Sequence, residues 1–170
     1  MTPVERLLRH DTWATSDGET EGGPFVLRFR TPIIEAGEAA GHSRLVIVCW
    51  PYAPEGSGAM PDDTTSNAMG VFEDRLCAAW ECDRLAVLAA VLTFDGARQW
   101  VWYTRSVVEC GKRLNDMPQE AEAYPVELTT QEDPDWNYLR AQILRQVNWQ
   151  DGQREWHLAL ERRSNGPQSA

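Results

Sequence analysis

Arg28 and Arg30 stand two residues apart in a segment that alternates cleanly, with Phe25, Leu27 and Phe29 on one face and Val26, Arg28 and Arg30 on the other. Guanidiniums at strand spacing offer planar paired donors, which is the chemistry that anchors a carboxylate or phosphate. Arg105 closes a second run, Trp100-Val101-Trp102-Tyr103-Thr104-Arg105. With Trp50, Tyr52, Trp102 and Tyr103 as walls and Arg28, Arg30 or Arg105 as anchors, an anionic small molecule could sit in a pocket between sheet and helices. The alternation in that run also suits a stacking platform for single-stranded RNA. The glycine-aromatic-basic signature of such platforms is missing, however, and packing of these rings in a core is the simpler expectation.

Acids supply the other candidate surface. Residues 119–135 carry Glu120, Glu122, Glu127, Glu132, Asp133 and Asp135 and no base. Such a stretch either guards an open strand against aggregation or docks a basic partner. Asp62, Asp63, Glu73 and Asp74 could hold a divalent cation through oxygens, but helix capping for the first pair and a solvated helix face for the second explain them as well. His10, His42 and His157 are scattered without paired spacing, and Cys49, Cys77, Cys82 and Cys110 form no CxxC. No metal site and no cofactor is therefore expected, and the thiols read as small reduced hydrophobes. GxSxG, P-loop and GxGxxG patterns are absent; Gly56-Ser57-Gly58 is only loop material. No catalytic residue can be nominated.

Sixteen Lys and Arg against 26 Asp and Glu leave a net charge of −10 in 170 residues. That balance argues against nucleic acid and against an anionic membrane as partners. The apolar runs at Leu45–Trp50 and Leu85–Leu92 are strand length, and Met1–Arg6 lacks a signal-peptide pattern, so a cytoplasmic protein is expected.

These residues need elements to position them. A strand around Trp13 (His10 to Asp17) and Phe25–Arg30 suggest an N-terminal hairpin. Arg44–Trp50 is apolar on both faces, and Asp62 begins a helix to about Cys82 whose stripe is Met69, Phe72, Leu76 and Trp80. Leu85–Phe94 follows, then an Asp95-Gly96 turn, a strand Gln99–Arg105, a helix Ser106–Met117 and a strand Tyr124–Thr130. Asp133-Pro134 caps a helix carrying Trp136, Leu139 and Ile143, and Gly152–Arg163 could be one more. The order predicts an α+β fold with a ferredoxin-like split β-α-β-β-α-β core over about 44–130, an added N-terminal β-hairpin and one or two C-terminal helices. Residues 1–145 would form one domain and 146–170 a helix and disordered tail. Strands apolar on both faces need a second cover, from the N-terminal region, the C-terminal helices or a second subunit.

Phe29-Arg30-Thr31, Trp50-Pro51-Tyr52, Gly58-Ala59-Met60-Pro61, Phe72-Glu73-Asp74, Leu85-Ala86-Val87-Leu88, the Trp100–Arg105 run, Leu114-Asn115, Tyr124-Pro125-Val126-Glu127 and Asp133-Pro134-Asp135-Trp136 occur in that order. As a set they resemble a bacterial family of uncharacterised proteins, domain-of-unknown-function family 695, over about Asp11 to Ile143. Some relatives resemble fusions to a domain like ribonuclease E activity regulator B. The resemblance implies a regulatory or interaction module, with no activity, cofactor or catalytic residue to carry over. The expectation is a non-catalytic module that binds a protein partner, such as a basic one, or itself as a homodimer; a small-molecule protein or enzyme is the alternative.

Overall fold

The computed structural model describes residues 1–20, 23–54, 60–118 and 122–146. Its elements are α1 (Pro3–His10), β1 (Thr12–Thr20), β2 (Gly23–Thr31), β3 (Arg44–Pro51), α2 (Asp63–Glu81), β4 (Ala86–Phe94), β5 (Ala97–Thr104), α3 (Val107–Asp116) and β6 (Glu127–Glu132). A π-helix (Tyr138–Ile143) and a 3-10 turn (Leu144–Gln146) follow. The six strands form one sheet in the order β1-β2-β4-β5-β3-β6, every neighbouring pair antiparallel. The fold is thus α+β.

Each sheet face has its own cover. Val46, Val48 and Trp50 of β3 and Trp100 and Trp102 of β5 meet the α2 stripe Met69, Phe72, Leu76 and Trp80, with Cys110 of α3 beside them. On the opposite face, Leu27, Leu45, Val87, Val101 and Tyr103 lie beneath Val4 and Leu7 of α1, Ile34 and Ala39 of the β2–β3 connection, and Trp136, Leu139 and Ile143. The second cover is therefore intramolecular, from α1, the β2–β3 connection and the segment after β6. β4 serves both cores by alternation, interrupted by a bulge between Leu88 and Ala90. Ala86 and Leu88 point to the α2 side before it and Val91 after it, so the extra residue resets the alternation.

Three local features differ from the sequence expectation. The N-terminus is helical: Thr2 and Glu5 form a reciprocal capping box with Pro3 in the first turn, a pattern legible in Thr2-Pro3-Val4-Glu5. The last strand begins at Glu127, not Tyr124, because Tyr124 turns its ring onto Phe72 and Trp50. Finally, Trp136 has φ +58°, so no α-helix runs on from Pro134. A bulky residue in the left-handed region is strained. The turn it makes lets the ring stack on Tyr103 and its indole N–H donate to the His42 carbonyl at 3.0 Å. Residues 147–170, with the helix expected at Gly152–Arg163, lie outside the described residues.

Candidate functional site

The aromatic–arginine set does not converge on one pocket. Trp50 and Trp102 lie in the core beneath α2, 7% and 0% exposed, whereas Tyr103 is fully buried on the opposite face. Tyr52 is half-buried where β3 ends, its backbone N–H donating to Gly96 O at 2.8 Å. Arg105 stands apart from Arg28 and Arg30, because β4 lies between β2 and β5. Its Nε and Nη2 donate to the carbonyls of Arg84 and Asp83 at 3.1 and 3.2 Å, which caps the chain leaving α2.

Arg28 and Arg30 do share a face, and α2 supplies their counter-charges. Glu73, Cys77 and Glu81 recur every four residues and so form one stripe on the flank of α2. Glu73 Oε1 accepts from Arg28 and, at 2.8 Å, from the Trp100 indole. Glu81 accepts from Arg30 at 3.0 Å and from the Leu88 backbone N–H at 3.0 Å. Arg30 also meets Asp11 at 3.1 Å, and the Trp13 ring lies 4.6 Å from its guanidinium. Glu73 was expected on a solvated face; it is instead a half-buried acceptor tying α2 to β2 and β5. Asp62 does cap α2, accepting from Thr65 N at 2.7 Å. Cys77 sits between the two glutamates, and burial, then those carboxylates, pushes its thiol well above the ordinary range. Burial also raises Cys49 and Cys110. None of these three is the lowered-pKa thiolate that nucleophilic chemistry uses.

The acidic stretch divides. Asp133 is only 5% exposed and belongs to the interior: it accepts from Tyr103 Oη at 2.7 Å and from the backbone N–H groups of Asn137 and Tyr138, both at 2.9 Å. Asp133 therefore caps the π-helix and pins it to the sheet, and it forms no part of an exposed edge. Glu122, Glu127, Glu132 and Asp135 are exposed, and Glu120 lies outside the described residues. β6 is a terminal strand paired only with β3, and all six of its residues are exposed. Glu132 faces Arg44 across the pairing, whereas Glu127 faces Cys49.

One further cleft, of about 340 Å³, opens between the start of α1, the 38–42 turn, Arg84 and Arg105. His42 lines it, 8% exposed, with Nε2 2.8 Å from the Arg84 carbonyl. A carbonyl only accepts, so Nε2 carries the hydrogen. Burial, despite that bond, lowers the imidazole below its usual range and keeps it neutral. His10 is exposed on α1, and His157 is outside the described residues. Among the described residues no three His, Cys, Asp or Glu side chains gather as metal ligands, and no helix is long and apolar enough to cross a membrane.

The motifs that carry the family resemblance thus meet in space: Tyr103 of one run stacks on Trp136 of another at 4.1 Å and 6°. No curated protein and no solved structure matches this chain. A family profile matches residues 11–142, and the chain belongs to that family, the family of unknown function DUF695.

Proposed function

We propose that the protein is a non-catalytic interaction module whose recognition surface is the outer edge of β6, and that its partner is a basic segment in extended conformation. The observation that carries this reading is an edge strand exposed at every position, with Glu127 and Glu132 at its ends and Glu122 and Asp135 flanking it. An added strand gains main-chain hydrogen bonds from such an edge, and its side chains provide selectivity. Charge selects among occupants. In a symmetric antiparallel pairing of two copies centred between Thr129 and Thr130, Glu127 would face Glu132 of the second copy twice over. Like charges directly opposed are destabilising, so a basic strand suits this edge better than a second copy does. Residues 1–145 would act as one domain. The order β6-β3-β5-β4 with α2 and α3 on one face supports a ferredoxin-like core over about 44–130, to which β1 and β2 extend the sheet.

The test is calorimetric titration of an alternating Lys-Thr peptide at low and high salt. Replacing Glu122, Glu127 and Glu132 by Gln removes three exposed carboxylates. At about 0.5 kcal/mol each, the loss is about 1.5 kcal/mol, or roughly tenfold in Kd. Binding unchanged by both salt and substitution would contradict the proposal. Mixing of the labelled protein with itself at the same concentrations shows whether a second copy takes the edge instead.

A further inference from the structure

Arg98, near the start of β5, has no salt-bridge partner among the described residues. Its Nε donates to Thr93 Oγ1 at 2.8 Å, which fixes the plane of the guanidinium. Its two terminal nitrogens have no hydrogen-bond partner among the described residues, yet they are not among the buried unpartnered atoms, so solvent reaches them. No acid among the described residues lies within salt-bridge distance of Arg98, in a chain with 26 acids to 16 bases. Glu73 is the nearest candidate, but its Oε1 already takes both Arg28 and the Trp100 indole.

The sheet register brings Arg28 beside this group. Arg28 pairs with Val91 and Arg98 with Thr93, so the two guanidiniums flank β4 one row apart on the α2 face. The Arg28 charge repels and the Glu73 charge attracts the Arg98 guanidinium. Arg28 keeps 38% of its side chain exposed. Trp50 pairs with Arg98 across β3 and β5, and the half-buried Tyr52 follows where β3 ends. Two cations thus share one carboxylate, whose Oε1 already accepts from Arg28 and the Trp100 indole.

We propose that Arg28 and Arg98 form a binding site for a small oxyanion, held two-pronged by the terminal nitrogens of Arg98 and steadied by Arg28. Carboxylate and phosphate both fit a planar two-nitrogen fork. Burial lowers the Arg98 guanidinium from its usual range, against the opposing pull of Glu73. The site shares no residue with β6, so its fate is independent of the edge proposal.

The experiment follows the arginine Nε–Hε resonances by NMR while inorganic phosphate, or separately acetate, is added at constant ionic strength maintained with sodium chloride. The expected result is saturable shifts confined to Arg98 and Arg28, at least about tenfold weaker binding in Arg98→Gln and an intermediate loss in Arg28→Gln. Arg98→Lys keeps the charge but not the fork, and should also weaken binding while retaining the fold. Tighter binding of phosphate supports a phosphoryl ligand, tighter binding of acetate a carboxylate ligand. Linear shifts spread equally over exposed arginines such as Arg84 and Arg105 would overturn the site, whether or not the variants fold. So would equal binding by the Arg98→Lys protein.

Discussion

Tyr103→Phe removes one oxygen from the knot that fastens the C-terminal segment to the sheet. Tyr103 Oη donates to Asp133 Oδ2 at 2.7 Å and accepts from the Leu139 N–H at 3.3 Å, in a region closed to solvent. Asp133 keeps its two backbone donors, Asn137 and Tyr138, so the carboxylate is not orphaned. Phe retains the ring and its stacking on Trp136, and no cavity beyond a hydroxyl opens. The loss is then one charge-assisted hydrogen bond together with an acceptor for the buried Leu139 N–H, about 2 kcal/mol. For a chain of this length that is a fall in Tm of roughly 4–8 °C. Urea unfolding of wild type, Tyr103→Phe, Asp133→Asn and the double variant closes a cycle, and the two substitutions should couple by about 1 kcal/mol or more. A Tm within a degree of wild type, or strictly additive effects, would show that the knot does not hold the segment.

Further outcomes follow from the same contacts. Glu81→Ala leaves the Arg30 guanidinium, 5% exposed, with only the exposed Asp11 as counter-charge and deprives the Leu88 N–H of its acceptor; chemical denaturation should report a loss of about 3 kcal/mol. Thr2→Ala breaks the α1 capping box and should cost about 1 kcal/mol in the same assay, with the fold otherwise unchanged. His42 is neutral in the folded protein and its pKa is lowered, so the unfolded chain takes up its proton first as pH falls. Stability should therefore decline from about pH 6.5 downward, and His42→Gln should flatten that slope between about pH 6.5 and 5. The carboxylates with lowered pKa values, Glu5, Asp62 and Asp83, act below that window, where folding loses their contribution as they protonate. Identical slopes in wild type and variant would remove His42 from the account.

Much of the fold was legible because burial leaves a local trace. The two-faced apolar runs at Leu45–Trp50 and Leu85–Leu92 announced a sheet covered on both sides, and the Met69–Trp80 stripe announced one of the covers. The second cover was partly legible in Thr2-Pro3-Val4-Glu5, whose capping box marks a helix of only eight residues. What stayed hidden depends on partners distant in sequence. Nothing near Trp136 shows that Tyr103, 33 positions earlier, will draw it into a left-handed turn. Asp133 reads as one acid in a run of six, and only the stacked ring and the π-helix N–H groups distinguish it as interior. Glu73 reads as solvated until β2 takes its place beside β4 and brings Arg28 beneath α2. Arg98 offers no periodic signal at all; that no carboxylate among the described residues pairs with it is visible only once the fold has placed the acids. Arg28 and Arg30 were legible as a pair, but their separation from Arg105 was not, because it depends on β4 coming to lie between β2 and β5.

The claim that recognition occurs along β6 is tested most directly by amide hydrogen exchange with and without the alternating Lys-Thr peptide. An added strand must engage the outward-facing main-chain groups, so exchange should slow within Glu127–Glu132 and revert at high salt or in the variant with Gln at 122, 127 and 132. Exchange in β1, the opposite edge of the sheet, should stay as it was. Peptide binding that leaves β6 amides unprotected, or that protects β1 instead, would contradict the account.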